Sequence, residues 1–168
     1  KGLRRFQQLQ ILDLSGNGIG FPGDDGTITI GESLRSFPQL RILDLSSNYI
    51  GYTADNGTQV IGENLRSLSQ LRTLDLSENY IDSEGDVGTQ AIGEGLPYLP
   101  QLRALDLSNN AIGGAGFFNI TEGILRLNNL QSLYVQQLFG ISLPSSQLTL
   151  LKQFWNHRNN NTDVYALI

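Results

Sequence analysis

Residues 71–81 read LRTLDLSENYI, and the same pattern stands at 9–19 (LQILDLSGNGI), 40–50 (LRILDLSSNYI) and 102–112 (LRALDLSNNAI). A degenerate fifth copy, LQSLYVQQLFG, begins at Leu130, so successive starts lie 31, 31, 31 and 28 residues apart. A fixed period of this size marks a repeat architecture, in which each unit buries its apolar face only against its neighbours. Within the block the apolar residues alternate, which predicts a short strand with one buried face.

Between these blocks lies a second shared stretch: GTITIGESLRSFPQ from Gly26, GTQVIGENLRSLSQ from Gly57 and GTQAIGEGLPYLPQ from Gly88. Its apolar residues fall at helical spacing, as Ile30-Leu34-Phe37-Leu40, Ile61-Leu65-Leu68-Leu71 and Ile92-Leu96-Leu99-Leu102. Asp-x-Gly-Thr turns at Asp24, Asp55 and Asp86 predict helices N-capped by Thr27, Thr58 and Thr89. Glu32, Glu63 and Glu94 then fall early in the helix, where the macrodipole favours negative charge. Gly31, Gly62 and Gly93 lie inside the helices at a propensity cost of about 1 kcal/mol each, which predicts close approach of neighbouring helices. The unit is therefore strand, loop, helix, return. Helices are about 10 Å wide and strands about 4.8 Å apart, so parallel stacking curves the chain with its sheet inside.

A length of 168 residues suits one domain. Eleven basic residues against sixteen acidic ones give a net charge of −5, which argues against a nucleic-acid or anionic-membrane surface. With no Cys there is no disulfide framework, thiolate nucleophile or Cys-ligated zinc. His157 is the only His, and it stands in a polar tail. Neither an enzyme nor a cofactor is expected. The absence of Met predicts that residue 1 is not a translation start. Residues 127–151 carry no formal charge, but their Asn, Gln and Ser exclude a membrane span.

The four LxxLDLSxNxI blocks carry the leucine-rich-repeat signature, and the long helical halves resemble the ribonuclease-inhibitor-like class. The resemblance covers residues 3–138. It implies an α/β solenoid, a horseshoe with parallel β-sheet on the concave face and helices on the convex face, that binds other proteins. The three 31-residue units depart from the class by a three-residue insertion after Ile19, Ile50 and Ile81. The near-identical repeats and the Cys-free chain are also similar to leucine-rich-repeat effectors delivered into host cells by intracellular bacteria. That likeness implies an intracellular or host-cytosol setting. A leucine-rich-repeat GTPase-activating protein and an extracellular adhesin or receptor fragment are the alternatives. A bacterial ubiquitin ligase would need its catalytic Cys outside this chain.

Residues 1–138 are expected to be repeats, and 139–168 a capping helix and tail. Leu3, Phe6 and Leu9 continue the helical spacing backwards, so the first repeat is truncated. Leu138 in place of Asn and Tyr134 in place of Asp end the pattern. Ser145 or Ser146 then N-caps a helix whose Leu148, Leu151, Phe154 and Trp155 close the open end of the core.

Alternation turns Ile11, Asp13 and Ser15 away from the core. Stacking makes columns of Asp13, Asp44, Asp75, Asp106 and Tyr134, of Ile11, Ile42, Thr73, Ala104 and Ser132, and of Ser15, Ser46, Ser77, Ser108 and Gln136. Carboxylates about 4.8 Å apart repel by about 0.9 kcal/mol per pair in water. That penalty points to an acidic stripe for a basic partner. The competing explanation is an ordinary family consensus whose Ser and backbone groups absorb the charge. Tyr49 and Tyr80, with Tyr52 on the same loop, are candidate interface anchors. Gly16, Ser47, Glu78 and Asn109 vary between otherwise similar copies. Arg41, Arg72 and Arg103 form a basic column that nearby acids would neutralise.

The candidate partner-binding set is thus Ile11, Asp13, Ile42, Asp44, Tyr49, Thr73, Asp75, Glu78, Tyr80, Asp106 and Tyr134. Asn17, Asn48, Asn79 and Asn110 stand at one fixed place, where a buried amide satisfies loop backbone groups of its own and the adjacent repeat. The acidic loops with Asp24, Asp25, Asp55, Asn56, Asp82, Glu84 and Asp86 lack the spacing of a calcium loop, and no metal site is expected. Sequons stand at Asn56, Asn119 and Asn160, and Asn119 with Glu122 also reads as a capping box. The expected molecule is a monomer offering roughly 800 Å² to a protein partner, with no nucleic acid and no membrane span.

Overall fold

Leu43, Leu74 and Leu105 are the inward residues of three consecutive strands and are fully buried, which is what the alternation in each block demands. A computed structural model describes residues 7–82, 85–136 and 145–158. Strands β1 (Ile11–Asp13), β2 (Ile42–Asp44), β3 (Thr73–Asp75), β4 (Ala104–Asp106) and β5 (Ser132–Tyr134) form one parallel sheet in chain order. The register aligns equivalent positions without slip, Ile11 to Ile42 to Thr73 to Ala104 to Ser132, and Asp13 to Asp44 to Asp75 to Asp106 to Tyr134. The ladder runs on past the strands, with Leu45 N–H donating to Asp75 O at 2.9 Å and Glu78 N–H to Ser108 O at 3.0 Å.

One helix fills each interval between strands: α1 (Asp25–Ser33), α2 (Asn56–Asn64), α3 (Val87–Gly95) and α4 (Gly114–Ile124). Their inner faces and the strand leucines make a single core, with Ile61, Leu65, Leu68, Leu71, Leu74 and Leu76 at 0–1% exposure. Each such side chain contributes about 1.5–3 kcal/mol relative to exposure. Neighbouring helices touch at the glycines: a Cβ on Gly62 would lie 2.5 Å from the backbone of Ala91 and Ile92. The propensity lost at glycine is offset by backbone packing that no other residue permits.

The helix starts differ from expectation. The N-cap positions belong to Asp24, Asp55 and Asp86, and Thr27, Thr58 and Thr89 are the third helical residues, buried to 0–1% exposure. A Cβ on Gly57 would lie 2.5 Å from Thr27 Cβ, and one on Gly88 would lie 2.6 Å from Thr58 Cβ. Thr27 and Thr58 are therefore packing residues, their branched carbons set against the glycine of the next helix, while the Thr89 hydroxyl donates to Asp86 O at 2.9 Å. The earlier start also moves Glu32, Glu63 and Glu94 into the last turn, where the macrodipole opposes them. Gln59 and Gln90 each donate from Nε2 to the glutamate four residues on, at 2.9 and 3.0 Å.

Each of α1 to α3 then tightens into a 3₁₀ turn, Leu34–Ser36, Leu65–Ser67 and Leu96–Tyr98, so Leu40, Leu71 and Leu102 belong to the return segment rather than to the helix. Asn119 lies inside α4, whose N-cap is Gly113, which removes the capping-box reading. A last helix, α5 (Ser145–Arg158), adds Leu151 to the core at 6% exposure and packs Leu148 against it. Ser145 is its first helical residue, so the N-cap position lies outside the described residues. Leu3, Phe6, Glu84, Leu138 and Asn160, with the side chains of Phe154, Trp155 and His157, also lie outside them.

Candidate partner-binding face

The Asp column is built the same way four times. Oδ1 of Asp13, Asp44, Asp75 and Asp106 accepts both the backbone N–H and the hydroxyl of the serine two residues on, at 2.6–3.0 Å. The serines thus absorb part of each charge, so the Asp-Leu-Ser sequence is also a turn device. Burial separates members of the column. Asp13, on the edge strand, is held below the usual carboxylate range by the two Ser15 bonds. Asp75, in mid-sheet, is raised: desolvation dominates the opposing Ser77 bonds, and Asp106 and Asp44 add repulsion.

The asparagines stand just beyond. Asn79 Oδ1 accepts the N–H of Asn48 at 2.9 Å and of Ile50 at 3.0 Å, and its Nδ2 donates to Leu45 O, Leu76 O and Ser77 O at 3.0 Å. Asn48 serves Asn17, Ile19 and Leu14 of the preceding repeat in the same way. Asn110 takes the N–H of Ile81 at 3.2 Å and donates to Leu76 O at 3.0 Å. These amides hold the loops, and with them the aromatic residues that follow.

Four rings gather at that edge. Tyr49 and Tyr80 stack at 5.9 Å with an interplanar angle of 11°, Tyr52 meets Tyr80 edge-on at 5.0 Å, and Phe21 touches Tyr49 at 5.9 Å and Tyr52 at 6.0 Å. Phe21, Tyr49 and Tyr52 remain 59, 44 and 45% exposed, so they cover one another without entering the core. Phe21 is absent from the sequence-derived set. The signal for it is the period: Phe21 lies 31 residues before Tyr52 and is its equivalent in the first repeat.

Beside the stacked pair opens a groove of about 440 Å³ lined by Ser47, Tyr49, Glu78, Asn79, Tyr80 and Asn109. Ser47 Oγ donates to Glu78 Oε2 at 2.8 Å, joining two repeats across it. Ser47, Tyr49, Glu78 and Asn109 all have left-handed backbone, with φ of 56°, 61°, 54° and 55°. In the first repeat the places of Ser47 and Tyr49 are held by Gly16 and Gly18, both at φ 67°. The position that varies in sequence is therefore also conformationally constrained.

The remaining members of the candidate set fall on the same sheet face. Ile11 and Ile42 are exposed, while Thr73 and Tyr134 are half-buried in β3 and β5. Arg41, Arg72 and Arg103 are exposed, and their backbones join the ladder, Arg72 N–H donating to Arg41 O at 2.7 Å and Arg103 N–H to Arg72 O at 2.8 Å. Two of the loop acids turn inward, while Asp25 and Asp86 stay exposed. Asp24 Oδ2 accepts the N–H of Gly57 at 3.0 Å, and Asp82 Oδ2 that of Gly113 at 2.9 Å. Among the described residues no group of three or more His, Cys, Asp or Glu is placed to hold a metal ion, and no helix is long and apolar enough to cross a membrane.

A family model described as "Leucine Rich repeat" matches residues 7–23, 65–85 and 98–120. No curated protein sequence matches the chain. Among solved structures, the chain is similar to the leiomodin-1 actin-binding site 2 domain, at 14% identity and a TM-score of 0.67, covering 93% of this chain and 84% of that one. It is also similar to the Caenorhabditis elegans tropomodulin C-terminal domain, at 11% identity and a TM-score of 0.69, covering 93% and 88%. Those identities speak to fold alone. With the in-register parallel sheet, the asparagine ladder and the matched repeats, they establish that this chain has the leucine-rich-repeat fold.

Proposed function

We propose that the chain is a non-catalytic protein-interaction module that takes its partner along the sheet face and the adjoining aromatic edge. The observation that carries this reading is the aromatic cluster of Phe21, Tyr49, Tyr52 and Tyr80, three of whose four rings stay exposed, on the loops that follow the Asp-bearing strands. Exposed aromatic clusters of this kind are preferred interface anchors. Ile11, Asp13, Ile42, Asp44, Thr73, Asp75, Glu78, Asp106 and Tyr134 complete the proposed contact set. The column selects a partner with a basic surface, because like charges on that partner would add to the repulsion already present.

Monomeric action and an intracellular or host-cytosol setting belong to the same proposal. The setting is supported by the Cys-free chain, and a bacterial effector role by the similarity of the repeats to one another. The test is capture of partners by the wild-type chain and by a folded Asp44→Lys/Asp75→Lys double variant, with the captured proteins identified. Loss of the wild-type partner is expected; undiminished capture would overturn the acidic-face reading. Actin, for which the leiomodin-1 domain is named, is the first purified protein to assay by co-sedimentation.

A further inference from the structure

The groove beside the Tyr49–Tyr80 stack has four properties that bear on its occupant. Its wall is aromatic, formed in part by Tyr49 and Tyr80, and an aromatic ring face carries negative quadrupole potential. Glu78 on its rim is exposed, and Ser47 holds one of its carboxylate oxygens. The surrounding charge is negative, both in the Asp75 and Asp106 carboxylates a few residues upstream and in the net −5 of the chain. A fourth property is backbone strain. Asparagine enters the left-handed region readily, but Tyr49 at φ 61° is a bulky side chain in a conformation that glycine holds in the first repeat. Strain of this kind persists where the neighbourhood over-determines it, and it collects at ligand-contacting sites.

We propose that this groove receives an arginine side chain carried on an extended segment of the protein partner. Its guanidinium packs on the Tyr49 and Tyr80 rings and hydrogen-bonds Glu78. The inference rests on the interaction-module reading and names the partner group that this edge recognises. Arginine fits better than lysine because its planar, weakly hydrated head both stacks on an aromatic face and presents paired donors to a carboxylate. The chain already contains one such contact, Arg66 lying 5.5 Å over the ring centroid of Tyr98.

The repeats supply variants that the fold already tolerates. Tyr49→Gly installs the residue found at Gly18, Glu78→Asn that at Asn109, and Tyr80→Ala that at Ala111. The probes are acetyl-Gly-Ser-Arg-Ser-Gly-amide and its citrulline counterpart, which is isosteric but uncharged, titrated into ¹⁵N-labelled protein. The arginine peptide should shift the amides of Ser47, Tyr49, Glu78, Tyr80 and Asn109, and the citrulline peptide should bind about tenfold more weakly. Each variant should weaken arginine-peptide binding by about fivefold or more, whereas Glu32→Gln, exposed in the last turn of α1, should change it by less than about twofold.

Equal binding of the two peptides, or unchanged binding by Tyr49→Gly and Glu78→Asn, overturns the arginine groove. The two readings fail separately. Undiminished partner capture by the Asp44→Lys/Asp75→Lys protein removes the acidic-face reading and leaves a positive peptide titration standing. A failed titration with intact, Asp-dependent partner capture removes only the groove.

Discussion

Oδ2 of Asp24 accepts the backbone N–H of Gly57, 3.0 Å away and 33 residues along the chain. Asp24 is the N-cap residue of α1, yet it makes no side-chain cap bond to its own helix. Its carboxylate instead satisfies an orphan donor in the first turn of α2 and sets a negative charge where that helix's dipole is positive. Asp82 repeats the arrangement toward Gly113, the N-cap residue of α4. Adjacent repeats are thus joined through helix ends as well as through the core.

Asp24→Ala should destabilise the chain by about 1–2 kcal/mol, combining a lost cap with an N–H left unsatisfied in a part-buried site. Asp24→Asn keeps an acceptor and should lose less than half of that. The check is a urea midpoint that falls in this order at constant slope. A midpoint unmoved by Asp24→Ala would mean that water replaces the carboxylate.

Asn79→Ala should cost more than about 3 kcal/mol, because it strips partners from two buried backbone N–H groups and up to three carbonyls. Asn17 gives the internal contrast. It is exposed, and among the described residues its amide serves only Leu14 O and Ser15 O of its own loop, so Asn17→Ala should cost under about 1 kcal/mol. Equal losses at the two sites would show that the ladder contributes nothing beyond local turn formation.

What the sequence made legible divides along a physical line. Alternation in LxLDL and the 31-residue period are enough for strand order and register, because one face of each strand must be buried and a slip would expose Leu74 or Leu105. Glycine inside an otherwise helical pattern was equally readable, since only contact explains keeping Gly62. The helix start was not, because Thr27 and Asp24 are both good caps locally. The choice was made by a neighbour one repeat away, where Thr27 meets Gly57 and Asp24 bonds its N–H. At the candidate site the tyrosines were visible as residues. The groove was not, since it depends on Glu78 and Asn109 from two repeats adopting left-handed backbone beside Tyr49.

Gly62→Ala tests the helix contacts. In isolation the change gains about 1 kcal/mol of helix propensity, but the new methyl would sit 2.5 Å from the Ala91–Ile92 backbone, and forcing the helices apart costs about 1–3 kcal/mol or more. The net should be destabilising. Gly23→Ala, with open space around it, should lie within about 0.5 kcal/mol of wild type. Thermal denaturation of both variants decides the matter, and a stabilised Gly62→Ala would mean that α2 and α3 can separate at little cost.

Asp75 makes the stability depend on pH with a sign opposite to that of a paired carboxylate. Burial in mid-sheet and repulsion from Asp106 and Asp44 raise its carboxyl above the ordinary 3.8, against the lowering effect of Ser77. In the window between the unfolded value and the raised folded one, the native state binds the extra proton, so stability falls as pH rises. The associated stability is present below the unfolded value and absent above the folded one. Asn at this position keeps an oxygen for the Ser77 N–H and hydroxyl but carries no charge. Asp75→Asn should therefore melt higher than wild type near pH 7, by under about 1 kcal/mol because the site is half-exposed and screened, and the difference should vanish near pH 3. Asp13 is the converse case, held below the usual range by Ser15, so Asp13→Asn should bring no gain at neutral pH. Melting curves of the two variants across pH 3–7 separate these cases. A gain at Asp75→Asn that persists undiminished at pH 3 would show that its origin is not the buried charge.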